Sequence, residues 1–373
     1  MEVESSPFIF DGPVPPSDLV GREVELAALR DRATRGRFTL LYAPRRYGKT
    51  SLIVRLQADT RNDRDVATVA VDLEGCQTLD DLARRIADAY EWLPRTATGK
   101  LLSAGASALR ALRPTFRTPV GSVELAGSDP AAHTVERLLR LPYETATKTG
   151  VRVLVVFDEF QAIADVPNAD AIVRSQIQHQ RDRVSYLFSG SERHVLQTIF
   201  ADRARPLYGQ AEQLRLGPLP PPAAVELVTA KFAATARQPG PALPPLVDLA
   251  GGHPQRLALL ADALWHETPL ATTADEATWQ AALERALRVV EPELRAVDAS
   301  LTTPQRKLVR LLAWAEPPTG AAAGRLNLGK GSASAAFNVL IERSIALPRD
   351  DTGPPRLVDP LLTAWTRRRQ PAP

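Results

Sequence analysis

The chain has 373 residues and a mass of 40.6 kDa, which is enough for two or three domains with substantial cores. Hydrophobic residues make up 44% and charged residues 24%, a globular composition that excludes a disordered or fibrous chain. No apolar run is long enough to span a bilayer, and residues 1–15 lack the basic start and apolar core of a secretory signal. We therefore expect a cytoplasmic protein without membrane contact. Cys76 is the only cysteine, which excludes an intramolecular disulfide.

The charge of the chain is nearly balanced. Lys and Arg total 46 and Asp and Glu total 43, which gives a formal net charge of +3. This mildly basic balance permits contact with nucleic acid but is too weak to argue for it.

Apolar runs alternate with helical patterns through the first half of the chain. Periodicity predicts strands over residues 38–42, 66–73, 151–157 and 184–189, helices over 51–58 and 79–92, and a less regular stretch at about 94–130. The third run is almost continuously apolar, which is typical of a parallel strand covered on both faces. The pattern predicts an open α/β sheet with a site at the carboxyl ends of its strands.

Beyond residue 215 the pattern is helical and punctuated by proline. Helices are predicted over residues 222–236, 244–250, 254–266, 273–294, 306–315 and 331–343, and two short strands flank a turn at 350–353. The order from residue 300 onward is typical of a winged helix. We predict three domains: a core over 1–215, a helical lid over 216–295 and a winged-helix domain over 296–373.

The segment APRRYGKTS at 43–51, between a predicted strand and a predicted helix, carries the strongest motif. Gly48, Lys49 and Thr50 match the end of the phosphate-loop pattern, while Ala43 stands where that pattern has its first glycine. Backbone N–H groups and a helix N-terminus would face nucleotide phosphates there. Lys49 would contact the β- and γ-phosphates, and the Thr50 hydroxyl would ligate Mg²⁺.

Polar residues follow the third and fourth predicted strands. Asp158 would hold Mg²⁺, and Glu159 would orient the attacking water. Ser189 begins a Ser-Gly-Ser run that fits either a sensor of the γ-phosphate or a simple strand-ending turn. Among the arginines that follow, Arg205 is the best candidate for contact with the γ-phosphate of a neighbouring subunit. Arginine is frequent in this chain, so a solvent-facing ion pair is the alternative.

These motifs, together with VGRE at 20–23, PLYGQ at 206–210 and GGHPQRL at 251–257, resemble those of the archaeal-type P-loop ATPases. That family is AAA+/STAND-like and related to the origin-recognition ATPases, and the resemblance covers roughly residues 8–290. It implies an α/β P-loop NTPase (AAA+-like) core with a parallel sheet, a helical lid and a C-terminal winged helix. It also implies that ATP and Mg²⁺ are the cofactors. The implied nucleotide contacts are Val20, Gly21, Arg22, Ala43, Arg45, Arg46, Tyr47, Gly48, Lys49, Thr50, Ser51, His253 and Pro254, with Arg256 as a further candidate.

Two functions follow from this interpretation. The first is an ATPase switch whose nucleotide state controls assembly with a protein partner or with further copies of itself. The second is a DNA-binding ATPase of replication, transposition or defence that uses residues 300–369. In the predicted third helix Lys330 and Arg343 are the only strong cations, which is few for phosphate neutralisation. The run Arg367-Arg368-Arg369 would add to them.

The first prediction concerns nucleotide binding. Lys49→Ala should abolish ATP binding, because it removes the only cation of the Gly-Lys-Thr motif, and should leave the fold intact. Equilibrium titration with ATP, paired with circular dichroism, measures both properties. An ATP affinity equal to that of the wild type would refute the assignment of the loop.

Overall fold

The chain divides into two compact units. The sheet unit comprises Glu23–Ala43 and Lys49–Leu216, and the helical unit comprises Met1–Arg22, Pro44–Gly48 and Gly217–Pro373. The computed structural model describes residues 5–61, 63, 65–91, 97–111, 130–349 and 353–373. The predicted domain boundaries at residues 215 and 295 stay predictions.

The sheet unit alternates strands and helices along the chain. Its elements are α1 (Glu23–Thr34), β1 (Thr39–Tyr42), α2 (Lys49–Thr60), β2 (Val66–Asp72), α3 (Leu79–Glu91), α4 (Ala97–Ala111), α5 (Pro130–Thr149), β3 (Arg152–Asp158), α6 (Ala169–Ile177), β4 (Val184–Gly190), α7 (Arg193–Ala201) and β5 (Glu212–Arg215). All four predicted strands are present, within one or two residues of their predicted ends.

The five strands form one parallel sheet in the order β2-β3-β4-β1-β5. Strands β3 and β4 are buried along almost their whole length, as the apolar runs predict. Tyr42 at the end of β1 pairs with Gly190 at the end of β4, and Phe157 of β3 pairs with Phe188 of β4. The carboxyl ends of these three strands therefore lie at one edge of the sheet. The prediction of an α/β fold with a parallel sheet is confirmed.

Two parts of the sheet unit differ from the sequence-based expectation. The edge strand β5 was not predicted, because its sequence EQLR is mostly polar and its side chains are partly or fully exposed. The stretch at about 94–130, expected to be less regular, contains the helix α4. Residues 92–96 and 112–129 lie outside the described residues.

Stacked aromatic rings form the centre of the sheet unit. Phe157, Tyr186 and Phe188 lie on neighbouring strands with ring centroids 6.1 Å apart, and Phe160 packs on Phe188 at 4.6 Å. Cys76 is buried in the same core, and burial raises the pKa of its thiol.

The helical unit contains two short strands and eight α-helices among its described residues. These are α8 (Pro221–Ala234), α9 (Leu243–Ala250), α10 (Pro254–Glu267), α11 (Glu276–Ala299), α12 (Thr303–Ala313), α13 (Ala321–Arg325), α14 (Lys330–Glu342), β6 (Ala346–Leu347), β7 (Arg356–Leu357) and α15 (Pro360–Arg369). The helices share one apolar core, which extends from α8 to α15 and includes Trp265, Trp279 and Trp365. No helix that the structure describes is long and apolar enough to cross a membrane.

Polar caps fix where several of these helices begin. Asp275 and Thr278 form a capping box at α11, and Thr302 and Gln305 form another at α12. The second box places the start of α12 at Thr303, three residues before the start of the helix predicted over 306–315. From α12 onward the order of elements is helix, helix, helix and antiparallel strand pair, followed by α15. A winged-helix fold for this segment stays a prediction, and residues 350–352 of its predicted turn lie outside the described part of the chain.

The N-terminal segment packs on the helical unit. The Phe8 ring lies 5.8 Å from the Phe232 ring of α8. The Lys231 amine, also on α8, donates hydrogen bonds to the Pro7 carbonyl and to the Asp18 carboxylate at 2.6 and 2.5 Å. These contacts hold the segment that leads to Val20.

The second prediction uses two adjacent glycines before α10. Both have a positive φ, which strains any other residue. A Cβ on Gly252 would lie 2.7 Å from the Pro218 Cβ and 2.8 Å from the Leu219 carbonyl oxygen, whereas one on Gly251 meets nothing closer than 3.9 Å. Gly251→Ala should therefore lower the free energy of unfolding by about 1 kcal/mol. Gly252→Ala should lower the free energy of unfolding clearly more, because overlap of the new Cβ with the Leu219 backbone adds to the strain. Urea denaturation compares the two, and equal losses would contradict the steric argument.

Candidate nucleotide-binding site

The phosphate loop joins β1 to α2. Gly48 has a φ of +87° and open space where a Cβ would lie, so the motif glycine occupies a left-handed conformation just before the helix. Ala43, in the place of the first glycine of the pattern, has no positive φ, so the alanine introduces no backbone strain. Lys49 begins α2 and is buried, and its amine donates to the Ala43 carbonyl at 3.3 Å.

Thr50 and Asp158 form a pair in the sheet unit. The Thr50 hydroxyl donates to Oδ2 of Asp158 at 3.1 Å, although the residues are 108 positions apart. Burial raises the pKa of Asp158, and the negative charge of Glu159 adds to this. The Ser189 hydroxyl, the backbone N–H of Glu159 and the charge of Lys49 lower it. A hydroxyl oxygen next to a carboxylate fits Mg²⁺, which prefers hard oxygen ligands.

Glu159 is held in an unusual conformation beside that pair. Its backbone is left-handed, with φ 50° and ψ 42°, which costs energy for a residue with a Cβ. Its N–H donates to Oδ1 of Asp158 at 3.1 Å. Its carboxylate accepts hydrogen bonds from the Ser191 hydroxyl at 3.2 Å and from the Gln161 amide. These contacts fix the direction in which the carboxylate points.

Ser189 was predicted from the sequence as a site residue, but the two residues that contact Glu159, Ser191 and Gln161, were not. Ser189 is completely buried near Asp158, whereas Ser191 and Gln161 donate hydrogen bonds to the carboxylate of Glu159. The signal for Ser191 is its place in the Ser-Gly-Ser run. Nothing in the sequence distinguishes Gln161 from the other polar residues that follow β3.

Arg205 contacts an acid of its own unit. Its guanidinium lies 3.3 Å from the Asp170 carboxylate and is 40% exposed. A role toward a neighbouring subunit stays a prediction.

Ser51 lies on α2 in the sheet unit and is buried, and the other candidate contacts lie in the helical unit. The Arg22 side chain is buried and donates to the Gly217 carbonyl at 2.9 Å. Gly21 has a φ of +63°, and a Cβ there would lie 2.6 Å from the Ala223 Cβ. Val20 packs against the apolar core of this unit, Tyr47 is buried, and Arg45 and Arg46 are exposed.

His253 is the N-cap of α10, which begins at Pro254. Its Nδ1 accepts a hydrogen bond from the Arg256 N–H at 3.3 Å, and its ring lies edge-on to the Tyr47 ring, with centroids 5.0 Å apart. Burial lowers the pKa of His253 to about 4; the Arg256 charge adds to this lowering and Asp359 opposes it. The imidazole is therefore neutral at pH 7 and has a structural role in addition to the predicted nucleotide contact.

Arg256 is a structural residue in this arrangement. Only 2% of its side chain is exposed, and its guanidinium binds both oxygens of Asp359, at 3.0 and 2.5 Å, and the Glu293 carboxylate at 3.3 Å. Although burial disfavours the charged form, these two acids raise the pKa of Arg256. A guanidinium committed to two carboxylates is a poor candidate for the nucleotide contact that the resemblance suggested.

The structure brings together part of the predicted site within each unit. In the sheet unit Thr50, Asp158, Glu159 and Ser189 lie close to one another, and Lys49 contacts Ala43. In the helical unit Tyr47 of the phosphate loop contacts His253.

Comparison with known proteins agrees with this geometry. Residues 31–200 match the family model described as AAA domain. Across nearly the whole chain the fold resembles that of a Walker-type ATPase of Pyrococcus abyssi, with a TM-score of 0.65 and 17% identity, covering 98% of this chain and 99% of that one.

A second similar structure is the ORC2 protein of Aeropyrum pernix in ADPNP–ADP complexes. Its TM-score is 0.56 and its identity 15%, and the match covers 99% of this chain and 95% of that one. The ADP form of the same protein has a TM-score of 0.52 and an identity of 15%, and the match covers 96% of each chain. At these identities the likeness concerns the fold, which is that of the P-loop AAA+ ATPases. The comparison with curated proteins gave no significant match.

The third prediction concerns the pH dependence of stability through His253. In the unfolded chain the imidazole takes up a proton near pH 6.5, whereas in the folded chain its pKa is about 4. Between these values the unfolded state binds more protons, so stability falls as the pH falls from 6.5 toward 4. The loss at pH 5 should be about 2 kcal/mol relative to pH 7.5.

The His253→Asn variant tests this prediction, since asparagine also caps helices but does not titrate. Urea denaturation at pH 7.5 and pH 5 should show a smaller loss of stability in the variant than in the wild type. The same loss in both proteins would mean that His253 does not titrate as the structure implies.

Proposed function

We propose that this protein binds ATP with Mg²⁺ at the phosphate loop and hydrolyses it to ADP and phosphate. The observation that carries the proposal is the 3.1 Å hydrogen bond between Thr50 of the Gly-Lys-Thr motif and Asp158 at the end of β3. Fold and sequence motif agree here, because the pair places a phosphate-loop hydroxyl against the acid that a P-loop ATPase uses for Mg²⁺.

Each residue has a distinct part in this proposal. Lys49, at the start of α2, would neutralise the β- and γ-phosphates, while the N–H groups of the loop bind their oxygens. Thr50 and Asp158 would hold Mg²⁺, which when bound neutralises charge on the phosphates.

Glu159 is proposed as the residue that orients the attacking water. Its carboxylate does not contact the Thr50 hydroxyl; it accepts from Ser191 and Gln161, which fix its direction. Fixing the base before the reaction reduces the entropy lost when the water is aligned. Ser191 and Gln161 are therefore positioning residues for Glu159.

We further propose that the nucleotide state acts as a switch for assembly with a protein partner or with further copies of this chain. The support is the match of residues 31–200 to the AAA domain model, together with the resemblance of the sequence motifs to those of archaeal-type, STAND-like ATPases. Arg205 remains the proposed arginine for a neighbouring subunit's nucleotide. Its pair with Asp170 is partly exposed, so exchanging that partner would cost little.

The alternative of a DNA-binding ATPase gains less support from the C-terminal arginines. Arg343 donates to Ser300, Arg367 donates to the Ala313 carbonyl, and Arg368 pairs with Glu284. Arg369 lies 4.7 Å from the ring centroid of Trp365. Cations that serve contacts within their own unit are less available for phosphate groups.

The fourth prediction tests the role of Glu159. Glu159→Gln keeps the size of the side chain and its hydrogen-bonding partners but removes the negative charge. It should therefore retain ATP binding and lower kcat about 10²- to 10⁴-fold. Ser191→Ala should cause a smaller loss in kcat with little change in KM, because the base remains but is less well oriented.

Glu226→Gln, an exposed carboxylate on α8, serves as the matched control and should hydrolyse ATP like the wild type. Phosphate release with ATP and Mg²⁺ measures all four proteins. Wild-type turnover in Glu159→Gln would exclude Glu159 as the water-orienting base. ATP binding without turnover in the wild type would make the protein a binding switch.

A further inference from the structure

An arginine of the phosphate loop is paired with an acid of α11. The Arg46 guanidinium lies 2.6 Å from the Glu293 carboxylate, and the side chains are 47% and 43% exposed. The loop backbone at this point is left-handed, with a φ of +67° at Arg46. The next residue, Tyr47, is buried against His253, so the position of Arg46 beside α11 is fixed by its neighbour.

Glu293 also pairs with a second arginine, Arg256. Its other oxygen lies 3.3 Å from the Arg256 guanidinium, which is already bound to both oxygens of Asp359. Two cations and two carboxylates thus form a chain of balanced charge in the order Arg46, Glu293, Arg256, Asp359. Glu293 keeps a partner in Arg256 when it loses Arg46.

We propose that Glu293 is an internal competitor of nucleotide phosphate for Arg46. The proposal rests on the proposed function, since it requires phosphate groups at the loop. A guanidinium binds a carboxylate and a phosphate through the same parallel pair of N–H donors, so Arg46 can exchange one for the other. Because both side chains are nearly half exposed, the existing pair is weak and the exchange costs little.

This exchange links nucleotide binding to the helical unit. When phosphate takes Arg46, the balanced chain loses one positive charge, and Glu293 and Asp359 then share Arg256 alone. Asp359 is also the N-cap of α15, where its carboxylate accepts from the Leu361 N–H at 2.9 Å. The charge at the loop is in this way connected through three side chains to the start of α15.

The fifth prediction is that removing the competitor strengthens nucleotide binding. Glu293→Gln should raise the affinity for ADP and for a non-hydrolysable ATP analogue about two- to fivefold, the range expected for one exposed ion pair. Glu293→Ala should shift the affinity in the same direction. Glu284→Gln, which breaks the pair between α11 and Arg368, is the matched control and should leave the affinity unchanged.

The Arg46→Ala background separates competition from general repulsion. If Glu293 acts through Arg46, Glu293→Gln has no effect on affinity once Arg46 is absent. A gain in affinity that persists without Arg46 would show that the carboxylate merely repels the phosphates, and would overturn the proposal. An affinity of Glu293→Gln and Glu293→Ala equal to or below that of the wild type would also overturn it.

The same titrations distinguish failure of this proposal from failure of the proposed function. The proposed function is wrong, and this inference with it, if the wild type binds no nucleotide. The same holds if the Lys49→Ala variant binds nucleotide with the same affinity as the wild type. If the wild type binds nucleotide through Lys49 but removal of the Glu293 carboxylate changes nothing, only the competitor role is excluded. Thermal unfolding of each apo protein confirms that the compared variants are folded.

Discussion

A guanidinium that is almost fully buried is costly unless carboxylates pair with it, and in the helical unit Arg256 is such a group. Its side chain connects three helices, because Arg256 is on α10, Glu293 on α11 and Asp359 at the start of α15. Removing one partner of such a group is costly, since a charge remains in a place with little water. The apolar core holds these helices together, and this network adds charged contacts between α10, α11 and the start of α15.

In the sheet unit the constraint is the register of parallel strands. Pairing of β1 with β4, and of β4 with β3, puts Tyr42, Gly190 and Asp158 at the same edge. Residues that are more than a hundred positions apart in sequence, such as Thr50 and Asp158, come into hydrogen-bonding distance there. The candidate site thus lies at the ends of strands whose interiors are mostly apolar.

The parts of the fold that could be predicted are those that a local sequence pattern reveals. Long apolar runs were enough to predict β1 to β4, and the Gly-Lys-Thr motif after β1 was enough to predict α2. The hydrogen bond between Thr50 and Asp158, which were each expected to hold Mg²⁺, was visible only in the structure. The strand β5 was missed because an edge strand exposed to solvent carries no apolar run. The partners of Glu159 and Arg256 were missed because they depend on tertiary contacts that a single sequence does not encode locally.

Some helix starts could be predicted from sequence and others could not. Thr302 and Asp275 are capping residues with recognisable spacing, whereas His253 caps α10 through Nδ1 and gives no pattern that sequence reasoning would expect. The role of Arg256 could not be inferred from the residues next to it in the sequence. Its place in the GGHPQRL segment suggested a nucleotide contact, and only the position of Asp359, more than a hundred residues later, shows where its charge is used.

The single cysteine has a practical consequence for studying the molecule. Cys76 is buried, and its raised pKa keeps the thiol protonated, while reagents such as maleimides attack the thiolate. A cysteine introduced at an exposed apolar position, such as Val225 on α8 or Leu270 after α10, would therefore react much faster than the native one. Fluorescent or spin labels can then be attached at one chosen point of the chain, without first removing the natural thiol from the core.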